Sequence, residues 1–370
     1  MRVAITHYWL VRRRGGERVL EEIASLFPEA DIFTHVCDPA SLGPALQGRR
    51  ISETSIARLP FARRAYRHYL GFMPRALERI DLTPYELVIS SESGPAQGVI
   101  APPGARHLTY CHTPMRYLWD QYPAYRATMS WPARLVFDRV AHNVRLWDHA
   151  AAQRPDRIFA NSAFVASRVR RDWGRAAEVI HPPVDLDRFR VRPGAPDPHA
   201  PYLFVSELVP YKRADLAIEA FRGLDRTLIV VGDGPEAERL ERDAPRNVTF
   251  VGRLSDEALA LTYSVARALI FPGEEDFGLT PLEAMAAGMP VIAYGRGGVR
   301  ETVVDEETGL FFAEQTPEAL RAAIGLFETR VFDPERCRAR AAAFGQKRFR
   351  ADFLQAVEAL MAAAPDKAWR

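Results

Sequence analysis

Cysteine is scarce in this chain: Cys37, Cys111 and Cys337 lie far apart, odd in number and without metal-ligand spacing. That excludes a disulfide framework and points to a reducing compartment. Lysine is nearly as scarce, for of 49 cationic side chains only Lys212, Lys347 and Lys367 are lysines. Long apolar runs are missing, and none approaches the roughly 18 to 20 residues that span a bilayer. The opening Met1-Arg-Val-Ala-Ile-Thr6 is followed rather than preceded by its basic cluster, Arg12-Arg-Arg-Gly-Gly16, so it reads as a first β-strand and not as a signal peptide.

What is present suits two lobes. A chain of 370 residues with 48% hydrophobic content exceeds one core and is ample for two. Apolar runs alternate with helical patterns through about residue 180, the pattern of a doubly wound α/β domain spanning 1–182. His181 to Pro201 is too rich in proline for regular structure, so 183–201 reads as a linker. A second α/β unit covers 202–333. The last segment, 334–370, shows helical spacing in Phe344, Phe349, Phe353, Val357 and Leu360.

Net charge is only +2, yet it is unevenly divided: residues 1–182 hold 25 arginines against 17 acids, leaving the rest of the chain acidic. Between residues 49 and 80, Arg49, Arg50, Arg58, Arg63, Arg64, Arg67, Arg75 and Arg79 face only Glu53 and Glu78, interleaved with Phe61, Tyr66, Tyr69, Phe72 and Met73. Basic residues mixed with aromatics suit an anionic membrane surface, where each cation contributes on the order of 1 kcal/mol. A solvated basic helix is the plainer reading. No recognition motif accompanies the segment, so nucleic acid is not the expected partner.

The most informative stretch is Phe271-Pro-Gly-Glu-Glu-Asp-Phe-Gly-Leu-Thr-Pro-Leu-Glu-Ala-Met-Ala-Ala-Gly-Met-Pro-Val-Ile-Ala-Tyr294, in which Glu275 and Glu283 are separated by seven residues. Thr280 suits an N-cap, Pro281 the first helical position, and Glu283 falls three residues past the cap. Phe277, Gly278 and Leu279 precede it, with backbone N–H groups at the positive end of the helix dipole, where a diphosphate binds readily. Pro290-Val-Ile-Ala-Tyr294 reads as the following buried strand, which puts the loop at the sheet's ligand edge. The alternative is that Thr280 to Glu283 form a capping box, with Glu283 bonded to the cap.

The whole segment resembles the signature of retaining glycosyltransferases of family 4. The likeness continues, in the family's order, through Tyr202-Leu-Phe-Val-Ser-Glu-Leu-Val-Pro-Tyr-Lys-Arg213, Val230-Val-Gly-Asp-Gly-Pro235, Phe250-Val-Gly-Arg-Leu-Ser-Asp256, Gly297-Gly-Val-Arg-Glu301 and Thr308-Gly309. It implies the GT-B architecture, two Rossmann-like domains facing across a cleft with the final helix crossing back to the first. It implies that Glu275 contacts the donor sugar, Glu283 the nucleotide ribose and Lys212 the donor diphosphate, with Gly234, Arg253 and the Phe277–Thr280 loop completing the donor site. One departure stands out: the family usually has arginine where this chain has Glu207, five residues before Lys212. Either Glu207 turns away and Arg213 or Arg253 compensates, or the donor is held differently, or donor use has been lost.

In the first lobe, Thr109-Tyr-Cys-His-Thr-Pro-Met-Arg-Tyr-Leu-Trp-Asp120 looks like the acceptor-side motif of bacterial O-antigen and exopolysaccharide enzymes, many of which transfer mannose. The resemblance gives His112 a contact to the donor sugar, although a lone histidine is more often structural. Arg116, Tyr117, Trp119 and Asp120 suit an acceptor pocket or the core equally. Gly15 and Gly16 form a loop after the first strand that lets backbone approach the substrates.

The implied reaction moves a hexose, mannose favoured, from a nucleotide sugar (GDP-mannose favoured, a UDP-sugar possible) to a polyprenyl-diphosphate-linked glycan at the cytoplasmic face of the cell membrane. The departing diphosphate takes the acceptor proton on the same face, with no metal; a covalent route through Glu275 is the other retaining option. The Asp185-Leu-Asp187 pair lies in the proline-rich stretch and is not expected to hold a metal. A catalytically weakened sugar-nucleotide binder, suggested by Glu207, and an oxidoreductase, suggested by Gly232 and Gly234, are the alternatives.

Overall fold

A computed structural model describes residues 1–191 and 197–363. They form two compact units, Met1–His181 joined by the chain from Phe349 onward, and Pro182–Arg348. No helix among the described residues is long and apolar enough to cross a membrane.

The first unit holds one parallel sheet of seven strands: β1 (Val3–His7), β2 (Asp31–Thr34), β3 (Ile51–Glu53), β4 (Leu87–Glu92), β5 (Arg106–Cys111), β6 (Arg157–Ala160) and β7 (Glu178–Val179), in the order β3-β2-β1-β4-β5-β6-β7. β1 and β4 are buried along their whole length. Their first halves are apolar, as a sheet covered on both faces requires. Their C-terminal ends turn polar, with Thr6, His7, Ser90, Ser91 and Glu92 all buried. Strand order reverses between β1 and β4, and such a reversal opens a crevice beyond the strands' C-terminal ends. The polar ends therefore mark the ligand side of this unit.

The Gln346–Ala362 helix closes the core of the same unit. Its Phe349, Phe353, Val357 and Leu360 lie on one stripe and pack with Ile5, Ile89, Leu108 and Tyr110. Burial of each such side chain stabilises by about 1.5–3 kcal/mol.

The second unit repeats the plan with six parallel strands: β8 (Tyr202–Val205), β9 (Leu228–Val231), β10 (Val248–Gly252), β11 (Leu269–Phe271), β12 (Val291–Tyr294) and β13 (Gly309–Phe312), ordered β10-β9-β8-β11-β12-β13. Alternate residues of its strands feed two apolar clusters, Tyr202, Phe204, Ile270 and Ile292 on one face and Leu203, Leu269, Phe271 and Val291 on the other. Here the order reverses between β8 and β11, so the loops that follow those two strands flank the crevice.

The boundaries differ from those drawn on composition. The stretch 183–201 is not a bare linker: Val184 N–H donates to the Phe344 carbonyl at 2.9 Å and Leu186–Arg188 forms a tight turn capped by Asp185, both inside the second unit. Residues 192–196 of that stretch lie outside the described residues, as do residues 364–370. The segment 334–370 is divided. The Pro334–Ala342 helix turns its small side chains Cys337 and Ala341 into the second unit's core, where Phe344 lies 5.9 Å from Phe277, and only from Phe349 does the chain join the first unit.

Candidate functional site

In the second unit the loops after β8 and β11 carry the chemistry. Lys212, in the Pro210–Lys212 turn, forms an ion pair with Glu275 from the loop after β11; the two side chains are 17% and 18% exposed. Burial alone lowers a lysine pKa, but the Glu275 carboxylate, with Tyr211 and Asp276 behind it, outweighs burial and raises that of Lys212. The two groups assigned separately to diphosphate and to sugar thus face each other, charge against charge.

The Glu275 loop rests on the chain at Gly297 and Gly298. Gly298 N–H donates to the Glu275 carbonyl at 2.9 Å. Gly297 adopts φ +81°, and a Cβ there would stand 2.5 Å from that carbonyl oxygen. The glycine pair is therefore a device for close backbone approach. Gly234 plays a similar part, for a Cβ on it would stand 2.4 Å from the Leu208 carbonyl oxygen. This packing against the Glu207 loop accounts for the Gly232 and Gly234 pair without a dinucleotide.

The helix runs Leu279–Ala286 and begins two residues earlier than its sequence suggests, because Gly278 at φ +88° turns the chain into it. Thr280 is therefore inside the helix rather than its N-cap, and no side chain caps this end. Leu279 and Thr280 present first-turn amides, which have no acceptor within the helix. The Phe277 side chain is only 3% exposed and belongs to the core, so its backbone is all it offers a ligand.

Glu283 is held from two sides, Tyr263 Oη donating to its Oε2 at 3.2 Å and Arg188 Nη1 standing 3.6 Å from its Oε1. Arg188 also pairs with Asp256 at 2.8 Å. Both partners escape sequence reasoning, since Arg188 falls in the proline-rich stretch and Tyr263 lies outside every motif quoted above. Of the groups proposed to offset Glu207, Arg213 pairs with Asp215 at 3.2 Å and Arg253 lies exposed after β10. Asp185 caps the turn through the Asp187 N–H at 3.2 Å. Among the described residues no group of three or more His, Cys, Asp or Glu converges as a metal site would need.

In the first unit Gly15 and Gly16 open the Gly15–Leu26 helix, and a Cβ on Gly16 would stand 2.5 Å from Tyr8 Oη and 3.9 Å from His112 Cδ2. Gly16 and His112 are therefore neighbours. His112 leaves β5 with its N–H donated to the Glu92 carbonyl at 2.8 Å, while its own carbonyl accepts from Asn161 Nδ2 at 2.9 Å. Its Nε2 lies 2.9 Å from Ser91 Oγ, which lies 3.0 Å from His7 Nδ1. Burial, then the nearby His7, pushes the His112 pKa down to about 3, so the ring is neutral in ordinary buffers. Neighbouring residues of the motif serve structure. Trp119 Nε1 and Trp173 Nε1 both donate to buried Asp148 at 2.8 Å, and Asp120 is shared by Arg116 at 3.4 Å and Arg168 at 3.0 Å.

Two family models match, one described as glycosyltransferase family 4 over residues 13–188 and one as glycosyl transferases group 1 over residues 186–344. Among curated proteins, a GDP-mannose-dependent alpha-mannosyltransferase of Mycolicibacterium smegmatis is 37% identical over 174 residues, covering 44% of this chain and 46% of its own. A D-inositol 3-phosphate glycosyltransferase of Streptomyces scabiei is 31% identical over 223 residues, covering 52% and 50%. The chain thus spans about half the length of the curated relatives it matches. Among solved structures, the sucrose-phosphate synthase of Thermosynechococcus elongatus superposes with a TM-score of 0.74 at 20% identity, over 98% of this chain and 100% of that one. The Anabaena protein HepE in complex with UDP and glucose gives 0.66 at 16% identity, over 96% and 99%. At those identities the likeness is one of fold. With two parallel-sheet Rossmann-like units and the paired models running from residue 13 to residue 344, the chain belongs to the group 1 and family 4 glycosyltransferases of the GT-B fold class.

Proposed function

We propose that this chain is a retaining glycosyltransferase that moves a hexose, mannose favoured, from a nucleotide sugar to a lipid-linked glycan. The observation that carries the reading is the Lys212–Glu275 pair at the strand-order reversal, beside the uncapped start of the Leu279–Ala286 helix. A cation, a hydroxyl acceptor and first-turn amides stand there together, the chemistry that a sugar diphosphate requires.

Lys212 opens from Glu275 when donor arrives and pairs with the diphosphate, stabilising the negative charge that grows as the sugar bond breaks. Glu275, released, takes sugar hydroxyls, and Glu283 takes the ribose. The departing diphosphate oxygen accepts the acceptor hydroxyl's proton on the face it leaves, which retains the anomeric configuration without a protein nucleophile or a metal. GDP-mannose is favoured because relatives bear that dependence in their names.

The membrane surface is the second half of the proposal. Arg58, Arg63, Arg64, Arg67, Arg75 and Arg79 are exposed in the first unit, with Phe61 at 82% and Phe72 at 65% exposure beside them. The Trp131–Ala151 helix, which packs against this region, exposes Trp131, Leu135, Val136 and Leu146 on one side. Cations with apolar anchors suit an anionic bilayer carrying a polyprenyl-diphosphate glycan at its cytoplasmic face. Not all of the segment serves there: Arg49 donates to the Ala24 and Phe27 carbonyls, while Tyr66 and Met73 are buried.

The test is turnover against GDP-mannose and UDP-sugars with a polyprenyl-diphosphate glycan as acceptor, the anomeric configuration of the product being read by NMR. Nucleotide release with retained configuration is expected. Glu207 motivates a second reading, a sugar-nucleotide-binding homologue with weakened catalysis. Donor binding without turnover by any acceptor would favour it.

A further inference from the structure

His7, Glu17, Ser91 and His112 form a continuous polar chain on the ligand side of the first unit, and no sequence motif draws attention to three of the four. Ser91 Oγ stands between two imidazoles, 3.0 Å from His7 Nδ1 and 2.9 Å from His112 Nε2. His7 Nε2 stands 3.9 Å from Glu17 Oε1. Glu17, His7 and Ser91 are buried, at 5%, 0% and 0% exposure.

A serine hydroxyl has one hydrogen, so it donates to one imidazole and accepts from the other. The two rings are therefore coupled. Glu17 is pinned, because its Oε2 accepts the Arg14 N–H at 2.9 Å, which leaves Oε1 toward His7. His7 Nε2 has no hydrogen-bond partner of its own and is sealed from solvent. A lone pair turned toward a buried carboxylate is repelled, whereas an N–H is attracted. The other close rings, Tyr8 at 3.9 Å from His7 and Tyr110 edge-on at 5.2 Å from His112, place aromatic faces and edges there rather than competing nitrogens.

We propose that Glu17 is a positioning residue that sets, through His7 and Ser91, which nitrogen of His112 carries the proton. Glu17 holds His7 as the Nε2–H form; His7 Nδ1 then accepts from Ser91, and Ser91 Oγ accepts from His112 Nε2–H. His112 Nδ1 is left as an unprotonated acceptor, suited to a donor-sugar hydroxyl. No other described protein group bonds to that nitrogen, and the low His112 pKa keeps the ring from becoming a double donor. The consequence for sugar binding rests on the proposed donor contact of His112; the relay itself does not.

Glu17→Gln inverts the chain without changing its shape. The Arg14 N–H needs an acceptor, so the new carbonyl oxygen faces Arg14 and the amide N–H2 faces His7 Nε2. His7 then carries its proton on Nδ1, the Ser91 hydroxyl turns to His112 Nε2, and His112 becomes the Nδ1–H form. The measurement is the pair of imidazole 15N resonances of His112 in the full, donor-free chain, assigned with His112→Gln. In the wild type Nε2 should resonate as protonated and Nδ1 as unprotonated, and the two should exchange roles in Glu17→Gln. In a Ser91→Ala background the Glu17 substitution should leave His112 unchanged. A wild-type His112 already protonated on Nδ1, or a Glu17→Gln response that survives loss of the serine hydroxyl, overturns the relay. If Glu17→Gln does not fold, Ser91→Ala alone decides: mixed tautomers at His112 support the relay and a single unaltered one refutes it. Addition of GDP-mannose separates the two claims. A relay that inverts as stated, with His112 resonances unmoved by donor, keeps the relay and removes His112 from the donor site.

Discussion

Lys212→Ala tests the leaving-group assignment most sharply. In the ligand-free protein this lysine neutralises Glu275, and its raised pKa keeps it charged throughout the range in which enzymes are assayed. A charge-assisted hydrogen bond to a phosphate is worth about 1.5–3 kcal/mol, and it is worth more as the diphosphate gains charge in the transition state. At about 1.4 kcal/mol per decade, its loss lowers kcat/KM by roughly 10- to 150-fold. Glu275, deprived of its cation, then repels the incoming donor and adds to the loss. A double-mutant cycle with Glu275→Gln follows that second part: Lys212→Ala should cost less in the Glu275→Gln background than in the wild type. The assay is nucleotide release at sub-saturating donor, with thermal unfolding as a check that the fold survives. Turnover of Lys212→Ala within about threefold of wild type, in a folded protein, refutes the reasoning, because no interaction of the stated strength would have been removed.

Three further outcomes follow from the geometry. Gly297→Ala puts a methyl where the Glu275 carbonyl already sits, 2.5 Å away, at a φ of +81°. It should lower stability by about 1–3 kcal/mol and depress donor affinity together, measured by denaturant titration and calorimetry. Burial holds His107 and His112 at pKa values of about 3 and His35 at about 4, all below the ordinary histidine value of 6.5. Between the ordinary and the lowered values the unfolded chain binds protons that the native one does not, so these groups' contribution is complete above pH 6.5 and is lost as pH falls through about 4 for His35 and about 3 for His107 and His112. His107→Gln should reduce the proton uptake on unfolding by about one in that window, read from the pH dependence of the unfolding free energy; an unchanged slope contradicts the burial argument. Finally, Arg63→Glu with Arg64→Glu and Arg67→Glu should abolish co-sedimentation with anionic vesicles, an effect that raised salt mimics in the wild type; neutral vesicles should not bind at all.

Much of the second unit is legible from sequence because its motif residues do their work through local backbone. Gly278, Glu275 and the Gly297 pair sit in short loops between apolar strands, and their spacing fixes which loops meet at the reversal point. Thr280 and Pro281 satisfy local capping preferences and so point to a helix start two residues late, whereas the left-handed turn at Gly278 is decided by packing around it. Arg188 is hidden for a related reason: proline richness masks a segment that is fixed by distant contacts, here to Asp256 and Glu283. The buried surroundings of His112 come from three strands and a helix start, 84 residues separating His7 from Ser91, and single-sequence patterns carry no sign of such a meeting. By contrast Phe349, Phe353, Val357 and Leu360 announce their stripe through helical spacing, but not which residues they cover.

The most direct measurement is a crystal structure of the protein with GDP-mannose bound. The expected result is an opened Lys212–Glu275 pair, with Lys212 Nζ on the diphosphate, Glu275 on sugar hydroxyls and Glu283 on the ribose. A donor bound elsewhere in the chain, with Lys212 still closed on Glu275, would contradict it.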